Sequence, residues 1–108
     1  MFYQSASGRE EVINFIMSQK PISTIKIKNA IKLLQEYGLK LLSTNWVKKI
    51  RQKPAIYELR IKSDVTYRIL FLIKKPGIFI LLHIFIKKSN KTPNREIKVA
   101  LHRAMKLV

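Results

Sequence analysis

At 108 residues the chain has room for one domain, taken here as residues 1–108, and its 47 % hydrophobic content can build a core without covalent staples. It has no cysteine, which excludes disulfides, thiol catalysis and thiolate metal sites and leaves the compartment open, a reducing cytoplasm being the natural expectation. Lys and Arg number 22 against 6 acidic residues, a net charge of +16, so the expected partners are polyanions.

No segment reaches the roughly 18 uncharged apolar residues of a membrane span. Met1-Phe2-Tyr3-Gln4-Ser5 lacks the basic start and apolar block of a signal peptide. No helix sets one apolar face against a continuous basic one, so no membrane partner is expected. Part of the lysine excess lies on solvent faces, but basic residues also interrupt the apolar strands.

Phe2-Tyr3 reads as the remnant of a first strand. Ser7 or Gly8 starts a helix with Glu10 and Glu11 in its first turn, where carboxylates suit the dipole. Val12, Ile13, Phe15 and Ile16 form its buried stripe, and Pro21 breaks it. A second helix runs from about Ser23 to Tyr37 on Ile27, Ala30, Ile31, Leu34 and Tyr37, with Gly38 as a left-handed stop. Leu39 to Ile50 is ambiguous, with Trp46 as its expected packing anchor.

Next come three strands. In Ile56 to Lys62, Tyr57, Leu59 and Ile61 alternate with Glu58, Arg60 and Lys62, a half-buried pattern. After a turn at Ser63-Asp64-Val65, Tyr67 to Ile73 is nearly all apolar and therefore central. Lys74-Lys75-Pro76-Gly77 turns the chain into the third strand, Ile78 to Lys87. Thr92 then caps a last helix, with Pro93 at its first position and Ile97, Ala100, Leu101, Ala104 and Val108 as its apolar stripe.

The turns set the registers. With Pro76-Gly77 at the centre, Tyr67, Ile69, Phe71 and Ile73 oppose Ile86, Ile84, Leu82 and Ile80. Directly opposed residues share a face, so this face is wholly apolar and ready for the first two helices. The other face pairs Leu72 with Leu81, Leu70 with His83 and Arg68 with Phe85, and places Arg60 opposite Arg68 and Lys87 nearby. An L-Pro-Gly turn suits hairpins poorly, and a bulge there shifts the register. The last helix covers the apolar end of this second face and leaves its basic end open.

Arginines, a histidine and lysines around one concavity fit metal-free RNA cleavage. The 2′-hydroxyl attacks its own phosphate when a base takes its proton, cations stabilise the phosphorane and an acid protonates the leaving 5′-oxygen. Each candidate also has a plainer role. Arg68 either pairs with Glu58 or holds a phosphate, and the cost of desolvating a central-strand arginine demands some anion. On the phosphate reading, Arg68→Ala removes activity and leaves the fold intact. Arg60 is as readily a solvated strand residue. His83, between Leu82 and Ile84, is more often a hydrogen-bonded core histidine than a catalyst. Lys87, Lys88 and Lys91 form either a solvated run or, beside a helix N-terminus, part of an anion site. Lys62 extends the basic surface. Phe85 either packs or stacks on a base, and His102 is a surface residue.

Other site classes fail. Only Gly8, Gly38 and Gly77 are present, too few for a phosphate-cradling loop. There is no Gly-x-Ser-x-Gly elbow. Carboxylates are too scattered for a two-metal nuclease, and no metal or cofactor is expected.

Together, Tyr57-Glu58-Leu59-Arg60, Tyr67-Arg68-Ile69-Leu70-Phe71, Leu81-Leu82-His83-Ile84-Phe85-Ile86-Lys87-Lys88-Ser89-Asn90-Lys91-Thr92-Pro93 and Glu96-Ile97 with Ala100 resemble the RelE/ParE toxin superfamily, in its HigB-like, phage-derived branch. Spacing agrees from about Tyr57 to Arg103; the helical first half fits more loosely, and the N-terminal strand is short for the family. The resemblance implies an α+β fold: a small antiparallel sheet, two N-terminal helices on one face and a C-terminal helix. It implies the toxin of a type II toxin–antitoxin pair, cutting mRNA in the ribosomal A site without a cofactor. Its partners would be the ribosome, mRNA and an antitoxin, expected to be a helix-turn-helix protein. By position, Arg60 and Arg68 would orient the scissile phosphate, and Lys87 and Lys88 would stabilise the transition state. The C-terminal Leu101 to Val108 has no counterpart of the tyrosine or histidine that some relatives use. The alternatives are a ParE-like DNA gyrase poison that cuts no RNA and a non-catalytic basic RNA-binding module.

Overall fold

The structure is a computed structural model that describes Phe2, residues 10–88 and residues 91–107. Helices α1 (Glu11–Met17) and α2 (Pro21–Tyr37) lead through a 3-10 turn (Gly38–Ser43) into strands β1 (Val47–Gln52), β2 (Ala55–Lys62), β3 (Thr66–Lys75) and β4 (Ile78–Ile86), and helix α3 (Asn94–Met105) closes the chain. The strands form one antiparallel sheet in the order β1-β2-β3-β4. This is the α+β architecture expected from the sequence. Among the described residues, no helix is long and apolar enough to cross a membrane.

Pro21 does more than end α1. That helix has already closed at Met17, where the Ser18 N–H donates to the Asn14 and Phe15 carbonyls. Pro21 is the first residue of α2, a position whose N–H has no helical partner to lose. The expected helix start at Ser7 or Gly8, Tyr3 and Val108 lie outside the described residues; Phe2 makes an isolated parallel bridge to Leu81 of β4. Gly38 ends α2 at φ +56°, with ψ −135°, where an L side chain is strained. A Cβ there would also meet the Phe79 ring at 3.4 Å. Gly38→Ala is expected to cost about 1–3 kcal/mol, read as a lower midpoint in urea unfolding with an unchanged slope.

The ambiguous segment contains a strand. In β1 only Val47 is fully buried, so no alternation announces the element. Leu41 and Val47 are the buried residues of this segment, while Trp46 is 40 % exposed.

Most of the expected register holds. Arg60 opposes Arg68, Arg68 opposes Phe85, Leu70 opposes His83 and Lys75 opposes Ile78. Between Leu70 and Phe71, however, β4 slips by one residue. Phe71, Leu72 and Ile73 face Leu81, Ile80 and Phe79, not Leu82, Leu81 and Ile80. A one-residue slip exchanges faces. Phe79 and Leu81 therefore join the α1/α2 core with Ile27, Leu34, Leu59, Ile69 and Phe71, and Ile80 and Leu82 pack under α3 with Leu70, Ala100 and Ala104.

Candidate active site

Beyond the slip, the α3 face of the sheet carries Glu58 and Arg60 from β2, Arg68 from β3 and Lys87 just past β4. Tyr67, Ile69 and Phe71 point the other way, into the α1/α2 core. Two directly opposed arginines repel unless an anion lies between them. Glu58 supplies it. Its Oε1 accepts from Arg68 Nη1 at 2.8 Å and from Arg60 Nε at 3.2 Å, and its Oε2 accepts from the Thr92 hydroxyl. Arg68 Nη1 also donates to Thr92 Oγ1 at 3.2 Å. The Glu58 side chain is 0 % exposed and that of Arg68 1 %.

Three expectations change here. Glu58 is not half-exposed but fully enclosed. The basic end of the face is not open, because the segment entering α3 lays Thr92 over the pair. Thr92 does not cap α3 either: Pro93 takes the cap position, with no side-chain cap bond, and the Thr92 hydroxyl serves Glu58 instead.

Arg68 is held by one nitrogen only. Its Nε and Nη2 are buried and have no hydrogen-bond partner among the described residues. These two donors lie along one edge of the guanidinium, the fork that fits two oxygens of a carboxylate or phosphate. Buried charged donors without a partner are costly and rare, and this edge has the geometry to take two oxygens of an anion.

Lys87 completes the group. Its N–H donates to the Thr66 carbonyl at 2.7 Å, continuing the β3–β4 ladder, and its side chain is half-buried. Its pKa is held below the lysine value of 10.5, first by desolvation and then by the charges of Arg68 and Arg60; Lys62 adds to the effect and Glu58 opposes it. Lys87 therefore shares its electrostatic environment with both arginines. Lys62, Lys88 and Lys91 are exposed.

His83 is elsewhere. Its Nε2 lies 2.8 Å from Glu96 Oε1, and its ring stacks on Phe85 at 5.7 Å and 24°. It lines a separate cleft with Glu11, Val12, Phe15, Ile84 and Arg103. Along β4 it stands four residues from Lys87, about 13 Å at roughly 3.3 Å per residue. The geometry thus gives His83 the plainer of its two roles, a partly buried histidine paired with a carboxylate. Phe85 is a core residue, 6 % exposed and packed with Ala100 and Ala104, and has no free face for a base. Thr92 was not legible as a site residue. Its only signal is its place between a cationic strand end and a helix.

Among curated proteins none matches the chain significantly. The family model described as "Phage derived protein Gp49-like (DUF891)" matches residues 14–105, which takes in α2, the whole sheet, the Glu58–Arg68–Thr92 lock and α3. The chain therefore belongs to the phage-derived Gp49-like family, one of the RelE/HigB-like families that its strand motifs resemble.

Proposed function

We propose that this protein is the toxin of a type II toxin–antitoxin pair and that it cuts mRNA on the ribosome. The observation that carries the proposal is the grouping of Arg60, Lys87 and the two partnerless Arg68 donors on one sheet face. Arg68 and Arg60 would hold the scissile phosphate and offset the charge that builds on the phosphorane. Neutral Lys87 would take the 2′-hydroxyl proton. The 2′-oxygen then bonds to phosphorus, the bond to the 5′-oxygen breaks, and that oxygen leaves with a proton from water. The products are a 2′,3′-cyclic phosphate and a 5′-hydroxyl.

Dependence on the ribosome fits the closed site. In the free protein Glu58 and Thr92 occupy Arg68 and cover it, so naked RNA meets an engaged cation. A ribosome would act by presenting one strained phosphate strongly enough to open this cover. The antitoxin would carry acidic groups, because a protein of charge +16 steers anionic partners in solution.

Expression in a bacterium should stop growth, and mapped mRNA ends should show cuts in translated frames only. Arg60→Ala and Lys87→Ala each reduce cutting by about 10²–10³-fold, the range for losing one transition-state contact. Neither side chain is fully buried, so both variants should keep the wild-type fold. Equal cutting of naked and ribosome-bound RNA would refute ribosome dependence. Blocked DNA supercoiling without RNA cuts would replace the nuclease by a gyrase poison.

A further inference from the structure

Trp46 is the only tryptophan of the chain, and it is 40 % exposed. Its backbone is fixed on both sides. The N–H donates to Thr44 Oγ1 at 3.0 Å, and the carbonyl accepts the Arg60 N–H at 2.8 Å. That second bond extends the β1–β2 ladder one residue beyond the Val47–Leu59 pair, so Trp46 stands opposite Arg60. Opposed residues share a face. Val47, 2 % exposed, turns into the α1/α2 core. Trp46 and Lys48, its neighbours on the chain, therefore turn to the other face, where Lys48 opposes Glu58.

A single exposed apolar residue is ordinary on a protein surface. This one is a rigidly based indole at the margin of the cationic group, beside the one active-site arginine whose side chain is 30 % exposed. Lys48 and Lys62 are exposed on the same strands, and the molecule carries +16. An aromatic platform set among cations is the arrangement that binds single-stranded nucleic acid: rings stack on bases and cations track the phosphates.

We propose that Trp46 is a stacking platform for one base of a single-stranded RNA, with the adjoining phosphates on Arg60 and Lys48. The choice of RNA rests on the ribonuclease reading above; the platform rests on the position of Trp46. Unlike the Arg68 fork, this surface is not covered by Thr92, so it should bind free RNA that the protein does not cut.

Trp46 is its own probe. Titration with an adenine-rich ten-nucleotide RNA should quench the tryptophan emission, and a ribose-phosphate oligomer of equal length without bases should not. Anisotropy of the end-labelled RNA should show Trp46→Ala binding about five- to one-hundred-fold more weakly, the range for one lost base stack, with Trp46→Tyr recovering most of the loss. The salt slope should stay unchanged in Trp46→Ala, because stacking releases no counterion, and should fall by about 0.7 in Lys48→Ala. Absence of RNA binding, unaltered emission at saturating RNA, or wild-type affinity in Trp46→Ala overturns the proposal. So does emission that responds to an antitoxin and not to RNA. The two readings fail separately. Quenching without cut mRNA in cells leaves the platform and removes the nuclease. Cutting with wild-type affinity in Trp46→Ala leaves the nuclease and removes the platform.

Discussion

Glu58→Ala should lower the Tm by at least about 10 °C, the largest stability loss expected from any polar substitution in this chain. The carboxylate is 0 % exposed and joins Arg68, Arg60 and Thr92. Its removal leaves the Arg68 guanidinium, 1 % exposed, without a counter-charge. Breaking one side of a buried pair costs about 3–5 kcal/mol. A domain of this size has about 5–15 kcal/mol in all and loses about 4–8 °C per kcal/mol. Arg68→Ala suffers in the same way, since it strands a buried carboxylate. It is therefore not the clean loss-of-function variant that the sequence alone suggests: lost toxicity in Arg68→Ala would report lost folding as much as lost chemistry.

A double variant separates the two. Glu58→Leu with Arg68→Met replaces the pair by apolar groups of similar volume, a change that is often neutral or stabilising. It should fold with a Tm near that of the parent and cut no mRNA. Glu58→Ala offers a second readout. Its unpaired Arg68 should take up inorganic phosphate, and the Tm should then climb with phosphate concentration more steeply than in the parent. A Glu58→Ala protein that melts at the parent temperature would mean that water already reaches the pair, and the enclosed lock would have to be abandoned.

The sequence carries some of these features and hides others for definite reasons. The pairing of Arg60 with Arg68 is legible because a three-residue turn joins their strands and fixes the register. The Pro76-Gly77 turn allows a register shift but does not say where along β4 it falls. From Ile78 to Ile86 every residue but His83 is apolar, so moving one residue changes no pattern, and only packing against α3 decides which of Leu81 and Leu82 faces it. Strand β1 is silent in the sequence because a basic edge strand with one buried residue has no period. Alternation puts Glu58 on the face of Arg60, but nothing near it in the chain announces the Thr92 hydroxyl that bonds it from 34 positions away. Trp46 looks like core by its hydrophobicity. Its exposure follows from the burial of Val47 next to it, which turns the indole outward.

Lys87→Arg should lower the cutting rate by about 10²–10⁴-fold, the contribution of a general base, although it keeps the positive charge. Arginine cannot give up its proton in a protein, so the substitution separates a base from an electrostatic contact. The direction of the pKa shift favours lysine in the first role. Desolvation and the charges of Arg68 and Arg60 weaken proton binding at Lys87, which raises the share of neutral amine at any pH below 10.5. The sign for stability follows. The unfolded chain holds the proton more tightly, so stability rises with pH between the lowered folded pKa and 10.5, and the charged amine burdens the fold below that window. The sign for activity is the same: the rate should climb as pH rises through the folded pKa of Lys87. Arg60→Gln removes one of the charges that depress it and should move the midpoint of the pH–rate profile upward, toward the ordinary lysine range, besides weakening phosphate binding. A Lys87→Arg protein that cuts ribosome-bound mRNA at the parent rate, or a profile that Arg60→Gln leaves in place, would reduce Lys87 to a fixed positive charge and leave the base to be sought outside this group.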